Sequence, residues 1–137
     1  GICALKLGKL EDAERDLEES LKISIELWGT DSINVAGDQA NLAKVLVRKQ
    51  DLSDFERALE LAEGSYKTCR RVLKEEHAMT GAALVAQACA LWRLGQRDRA
   101  EEMAARGIAC TAAQMGPEDK DVIEQQNDWN ELKKDFP

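Results

Sequence analysis

Leu10, Ala13, Leu17, Leu21, Ile25 and Trp28 follow one another at steps of three and four, while Glu11, Asp12, Glu14, Arg15, Asp16, Glu18 and Glu19 fill the places between. That spacing puts the apolar set on one face of a helix and the acids on the other. It predicts an amphipathic helix over residues 10–28, with Trp28 in the core. Similar helical patterns return over 33–49, 54–74, 78–94, 97–115 and 119–135, and a short apolar stretch at 2–7 precedes the first. Six to seven helices and an all-α fold are expected.

The pattern also repeats. Residues 8–32 recur in degenerate form at 53–77 and 95–119, anchored on Ala13, Ala58 and Ala100, and Trp28, Leu73 and Met115 keep the same separations of 45 and 42. A period of that size indicates a helical-repeat array. Gly8 and Gly95 suit a left-handed turn that ends one helix before the next begins. The second copy has a turn over 49–53 that is three residues longer, where Ser53 or Asp54 can cap the following helix. The other helix of each pair is dense in small residues (Ala36, Gly37, Ala40, Ala82, Ala83, Ala86), which permit close helix approach.

Residues 2–7 align with the last turns of such a helix, because Cys3, Ala4 and Leu5 fall over Val45, Leu46 and Val47. The reading is one domain over 1–137, with an incomplete first repeat at 1–32, a second at 33–77, a third at 78–118 and a capping helix at 119–137. The cap is expected from a single apolar stripe, Val122, Trp129, Leu132 and Phe136, on a very polar segment. Beginning in mid-repeat, the chain reads as a fragment of a longer protein, with an uncapped first repeat open to self-association.

Composition narrows the function. The chain is 44% hydrophobic and 33% charged with 4% aromatics, which suits a helix-rich domain. No apolar run approaches the ~20 residues of a membrane span, and the N-terminus lacks a signal-peptide layout; a cytoplasmic protein is expected. Cys3, Cys69, Cys89 and Cys110 show no CxxC spacing and are read as compact hydrophobes, not as disulfide or zinc ligands. A net charge of −7 argues against nucleic acid or anionic lipid as partner. The single histidine, His77, falls at a turn and reads as a cap. No Gly-rich phosphate loop, HExxH or nucleophile elbow is present, so neither an enzyme nor a bound cofactor or metal is expected.

The Gly-x-x-x-x-Ala spacing (Gly8 to Ala13, Gly95 to Ala100), the triplet Asn41-Leu42-Ala43 and the turns Trp28-Gly29-Thr30-Asp31-Ser32 and Met115-Gly116-Pro117-Glu118-Asp119 resemble the 42-residue tetratricopeptide repeats of the kinesin light chain type. The likeness covers essentially the whole chain. It implies a right-handed superhelical solenoid of antiparallel helix pairs, in which the first helix of each pair lines a concave, peptide-holding groove.

Spacing selects the residues of that groove. Asn41, Lys44 and Arg48 stand at i, i+3 and i+7, one face of a helix. The same face of the next pair offers Ala86, Cys89 and Arg93, and the offset carried back reaches Lys6. Lys6, Arg48 and Arg93 form a basic ladder that suits a partner's carboxylates, with Lys44, Cys89 and the Asn41 amide beside it. Helix-dipole complementation is the alternative account, since each cation is placed near the end of its helix. Trp92, beside Arg93, is either a stacking surface for a ligand or inter-repeat packing. The function expected is a scaffold that binds an extended, acidic peptide segment of a protein partner. The alternative is a non-catalytic docking or assembly region of a larger enzyme or complex.

Overall fold

The computed structural model describes residues 2–30, 32–73 and 77–137, with side chains described from Lys9 onward. Among the described residues there are six helices and no strands: α1 (Ile2–Trp28), α2 (Ile33–Leu46), α3 (Leu52–Val72), α4 (Ala78–Arg93), α5 (Arg97–Met115) and α6 (Lys120–Asp135). The fold is all-α, as the periodicity predicts. Helices α2 and α3 pair, α4 pairs with α5, α3 packs on α4, and α6 lies against both α4 and α5. Helix α1 packs on α2 at the other end.

The core runs through the array. Leu42, Leu46, Ala58, Ala62, Leu91, Ala100, Ala104, Trp129 and Leu132 are buried in one cluster. The anchors Ala58 and Ala100 are both fully buried, the role a small side chain takes where two helices approach closely. Gly81 of α4 and Gly107 of α5 approach each other closely. A Cβ on Gly81 would lie 2.1 Å from Thr111 Oγ1 and 2.5 Å from the Gly107 carbonyl, and a Cβ on Gly107 would lie 2.7 Å from the Gly81 carbonyl. Backbone meets backbone there, so neither position has room for a side chain.

Local signals set most of the helix ends. Ser32 Oγ accepts from Val35 N, His77 Nδ1 from Met79 N and Asp119 Oδ1 from Asp121 N, each capping the helix that follows. His77 is thus a cap, as its turn position predicts. Gly95 adopts φ +86 between α4 and α5, as expected. Gly8 does not break the chain: α1 is continuous from Ile2 to Trp28. A helix-interior glycine costs only about 1 kcal/mol against alanine, and Leu5, Lys6, Leu7, Lys9 and Leu10 around it are good helix formers.

Other boundaries shift by a few residues. Helix α2 ends at Leu46 and α3 begins at Leu52 with Asp51 as its N-cap. The Asp51 carbonyl accepts from Asp54 N and Phe55 N, so neither Ser53 nor Asp54 is the cap. Asp54 instead faces Lys49 at 3.7 Å. Lys49 also bonds Glu14 at 2.6 Å, and Arg57 bonds Glu18 at 2.6 Å, which ties α1 to the turn after α2 and to α3. The Glu14 bond is the main cause of a Lys49 pKa above the usual lysine value.

Trp28 is not in the core: it is 61% exposed, whereas Trp129 is 2% exposed. Leu17 and Leu21 of the same stripe do pack on the core. Trp28 occupies the last turn of α1, and Met115, its counterpart at the end of α5, is also exposed. Among the described residues no helix is long and apolar enough to cross a membrane.

Candidate functional site

Helix α4 forms the floor of a cleft whose walls are α2 and α6. Lys44, Val47 and Arg48 from the α2 side, Val85, Ala86 and Cys89 from α4, and Asp128 and Leu132 from α6 line a cavity of about 140 Å³. A second cavity of about 200 Å³, lined by Lys44, Ala78, Met79, Ala82, Asp121, Glu124, Gln125 and Asp128, continues it toward the start of α4. The two share Lys44 and Asp128, which face each other at 3.8 Å. The floor is low because Ala82, Ala86 and Cys89 are small. One wall presents cations and the other presents acids.

The predicted groove residues do not stay together. Lys44, Arg48 and Cys89 come together in the cleft. Asn41 is exposed on α2 outside both cavities, and the Lys6 side chain lies outside the described residues. Arg93 sits in the packing at the end of α4. Its Nη2 donates to the Lys49 carbonyl at 2.9 Å, and its guanidinium lies 4.4 Å from the Phe55 ring centroid and 3.5 Å from that of Phe136. Its Nη1 is buried without a hydrogen-bond partner. Burial, then repulsion from Arg48 and Arg97, lowers the Arg93 pKa. Arg48 lies two residues beyond the end of α2, where the helix dipole also favours a cation.

The cations already hold carboxylates of the chain itself. Arg48 Nη1 donates to Asp135 Oδ2 at 2.6 Å, and Lys44 faces Asp128. Burial chiefly, with Glu124 and Glu131 adding to it against the opposing pull of Lys44, raises the Asp128 pKa. Neither acid was anticipated, although the signal was present. The 42-residue offset that relates Ala58 to Ala100, applied to Ala86 and Arg93, lands on Asp128 and Asp135.

Trp92 resolves as inter-repeat packing. Its Nε1 donates to the Phe136 carbonyl at 2.7 Å, its ring meets Trp129 edge to face at 5.6 Å, and Arg97 stacks 3.7 Å from it. Gln125, buried on the inner face of α6, bonds Thr111 Oγ1 at 2.7 Å, a role its polar type conceals. Among the described residues no His, Cys, Asp and Glu cluster could hold a metal ion.

Cys69, Cys89 and Cys110 are buried and form no disulfide among the described residues. Burial pushes the Cys89 thiol up to about 12 and raises that of Cys69 as well. Since the thiolate is the reactive form, a thiol reagent at pH 8 is expected to leave Cys89 and Cys69 unmodified in the folded protein and to label both after denaturation. Labelling of Cys89 at the rate of a free thiol in the native state would contradict this packing.

A family model described as tetratricopeptide repeat matches residues 4–34 and 40–78, just over half of the chain. The chain belongs to the tetratricopeptide-repeat family, whose repeats serve in general as protein-interaction scaffolds. No curated protein matches it. The matched segments end as α4 begins, so the floor and acidic wall of the cleft lie beyond them.

Proposed function

We propose that this chain is a non-catalytic scaffold whose α2–α4–α6 cleft holds an extended, acidic segment of a partner protein. The observation that supports it is the pairing of Arg48 with Asp135 and of Lys44 with Asp128 over a small-residue floor. Two cations aimed into the same cleft are each met by a carboxylate, so the site has the geometry to take such groups from another chain. The 42-residue spacing and the turn sequences support the kinesin light chain type of repeat, and the net charge of −7 supports a protein partner in preference to nucleic acid or membrane; the reading places the pair in the cytoplasm.

A fluorescein-labelled hexaglutamate peptide, followed by anisotropy, tests the reading. Binding is expected in the micromolar range, about −8 kcal/mol, weakening as salt rises because the charges are partly exposed. The double change Lys44→Ala with Arg48→Ala is expected to weaken it at least tenfold with the helical CD signal intact. Arg93 is unsuited to this test, because its packing between Phe55 and Phe136 would confound lost binding with lost stability. Equal binding by the double variant, or preference for hexalysine, would remove the proposal.

A second reading has its own observation. Ile23, Leu27 and Trp28 are 49%, 69% and 61% exposed on α1, an apolar strip suited to burial in a larger assembly or in self-association. Sedimentation of the chain separates the two: a concentration-dependent dimer abolished by Leu27→Glu supports this surface, and a monomer at all concentrations removes self-association.

A further inference from the structure

Arg48, Arg93 and Arg97 gather at one end of the cleft, close enough that Arg48 and Arg97 each depress the Arg93 pKa. What covers Arg48 and Arg93 is the end of α6, while Arg97 is exposed and stacks on Trp92. Asp135 takes Arg48, the Phe136 ring lies over Arg93, and the Phe136 carbonyl accepts the Trp92 indole N–H. The cover is weakly held. Asp135 is half-exposed and Arg48 about a third exposed, the setting in which an ion pair contributes little, and Phe136 is only partly buried. Trp129 and Leu132, two turns and one turn earlier, are 2% and 1% exposed. The last turn can therefore lift while the rest of α6 stays docked.

The cover also leaves the cluster incompletely satisfied. Arg93 Nη1 is buried with no acceptor, and an orphaned donor of that kind carries a desolvation penalty. A carboxylate entering from a partner would replace Asp135 on Arg48 and supply the acceptor that Arg93 lacks, so the exchange forms two charge-assisted hydrogen bonds in place of one charge-assisted bond and the neutral Trp92 bond. We propose that Asp135 and Phe136 form a displaceable strap that closes the arginine end of the cleft until an acidic segment evicts it. This rests on the acidic-segment reading of the cleft given above.

The test compares the parent chain, Asp135→Asn, Phe136→Ala and the double variant, using labelled hexaglutamate as probe. Removing the strap is expected to tighten probe binding about tenfold in the double variant, since an exposed ion pair and a cation–π contact are lost from the closed state. Asp135→Asn leaves the apolar packing in place and guards against a folding artefact in Phe136→Ala. In the parent, the Trp92 indole N–H resonance is expected to shift as the probe binds, because its acceptor leaves. Equal affinity in all four proteins, or a Trp92 resonance that stays put while the probe binds, would overturn the strap and leave the cleft standing. Absence of probe binding in every protein would overturn the acidic-segment reading, and the strap with it.

Discussion

Gly81→Ala is expected to lower the melting temperature by about 10 °C, an unusual result for a change that ordinarily favours helix. Alanine in place of a helical glycine gains roughly 1 kcal/mol where space allows. At Gly81 it does not, because the new Cβ would meet Thr111 Oγ1 at 2.1 Å and the Gly107 carbonyl at 2.5 Å. The hydroxyl can rotate away, but the carbonyl belongs to α5 and cannot move without separating the two helices. Overpacking of this kind costs about 1–3 kcal/mol or somewhat more, and each kcal/mol moves the midpoint of a domain this size by roughly 3–5 °C. Gly37→Ala supplies the contrast, since its Cβ would meet only the Met79 methyl at 3.7 Å, an ordinary contact. That variant is expected to melt at or above the parent temperature. Calorimetry of both decides it; a Gly81→Ala protein as stable as the parent would mean that α4 and α5 do not touch at this point.

That contrast marks what the sequence could and could not tell. Gly37 and Gly81 both sit among small residues in first-of-pair helices, and no pattern distinguishes the one with room from the one without. The distinction depends on Gly107 in α5 arriving opposite Gly81, a tertiary coincidence. Gly8 and Gly95 make the same point in the turns: they precede equivalent helices, yet only Gly95 is held in the left-handed region, by the packing of α4 on α5. The periodicity was a better guide to helices than to burial. It placed Trp28 and Trp129 in stripes of the same kind, and exposure separates them because Trp28 lies in the last turn at an edge of the array. The cleft was half legible. Lys44, Arg48 and Cys89 follow from spacing on equivalent helix faces, while the opposing wall needs the repeat offset to be carried into α6, whose polar residues read only as the outer side of a cap.

Trp129→Ala is expected to be the most damaging single change, costing about 3–5 kcal/mol and lowering the melting temperature by more than 10 °C. The side chain is 2% exposed, meets Trp92 edge to face at 5.6 Å and carries Lys133 over its ring at 5.2 Å. It is also the largest buried group that α6 sends into the core, with Val122 and Leu132 the only other buried apolar side chains of that helix. Removing it leaves a hole where α6 meets α4 and weakens the docking of the whole helix. The consequence reaches the cleft, because Asp128 and Asp135 are held against Lys44 and Arg48 by the same docking. Trp28→Ala removes a side chain of equal size from an exposed edge and is expected to change stability by about half a kcal/mol or less. Thermal melts of the two variants, with the near-ultraviolet CD signal of the packed Trp92 and Trp129 pair, test this directly. A Trp129→Ala protein that melts alongside Trp28→Ala would show that α6 is not anchored through this residue, and the acidic wall of the cleft would have to be held by other contacts.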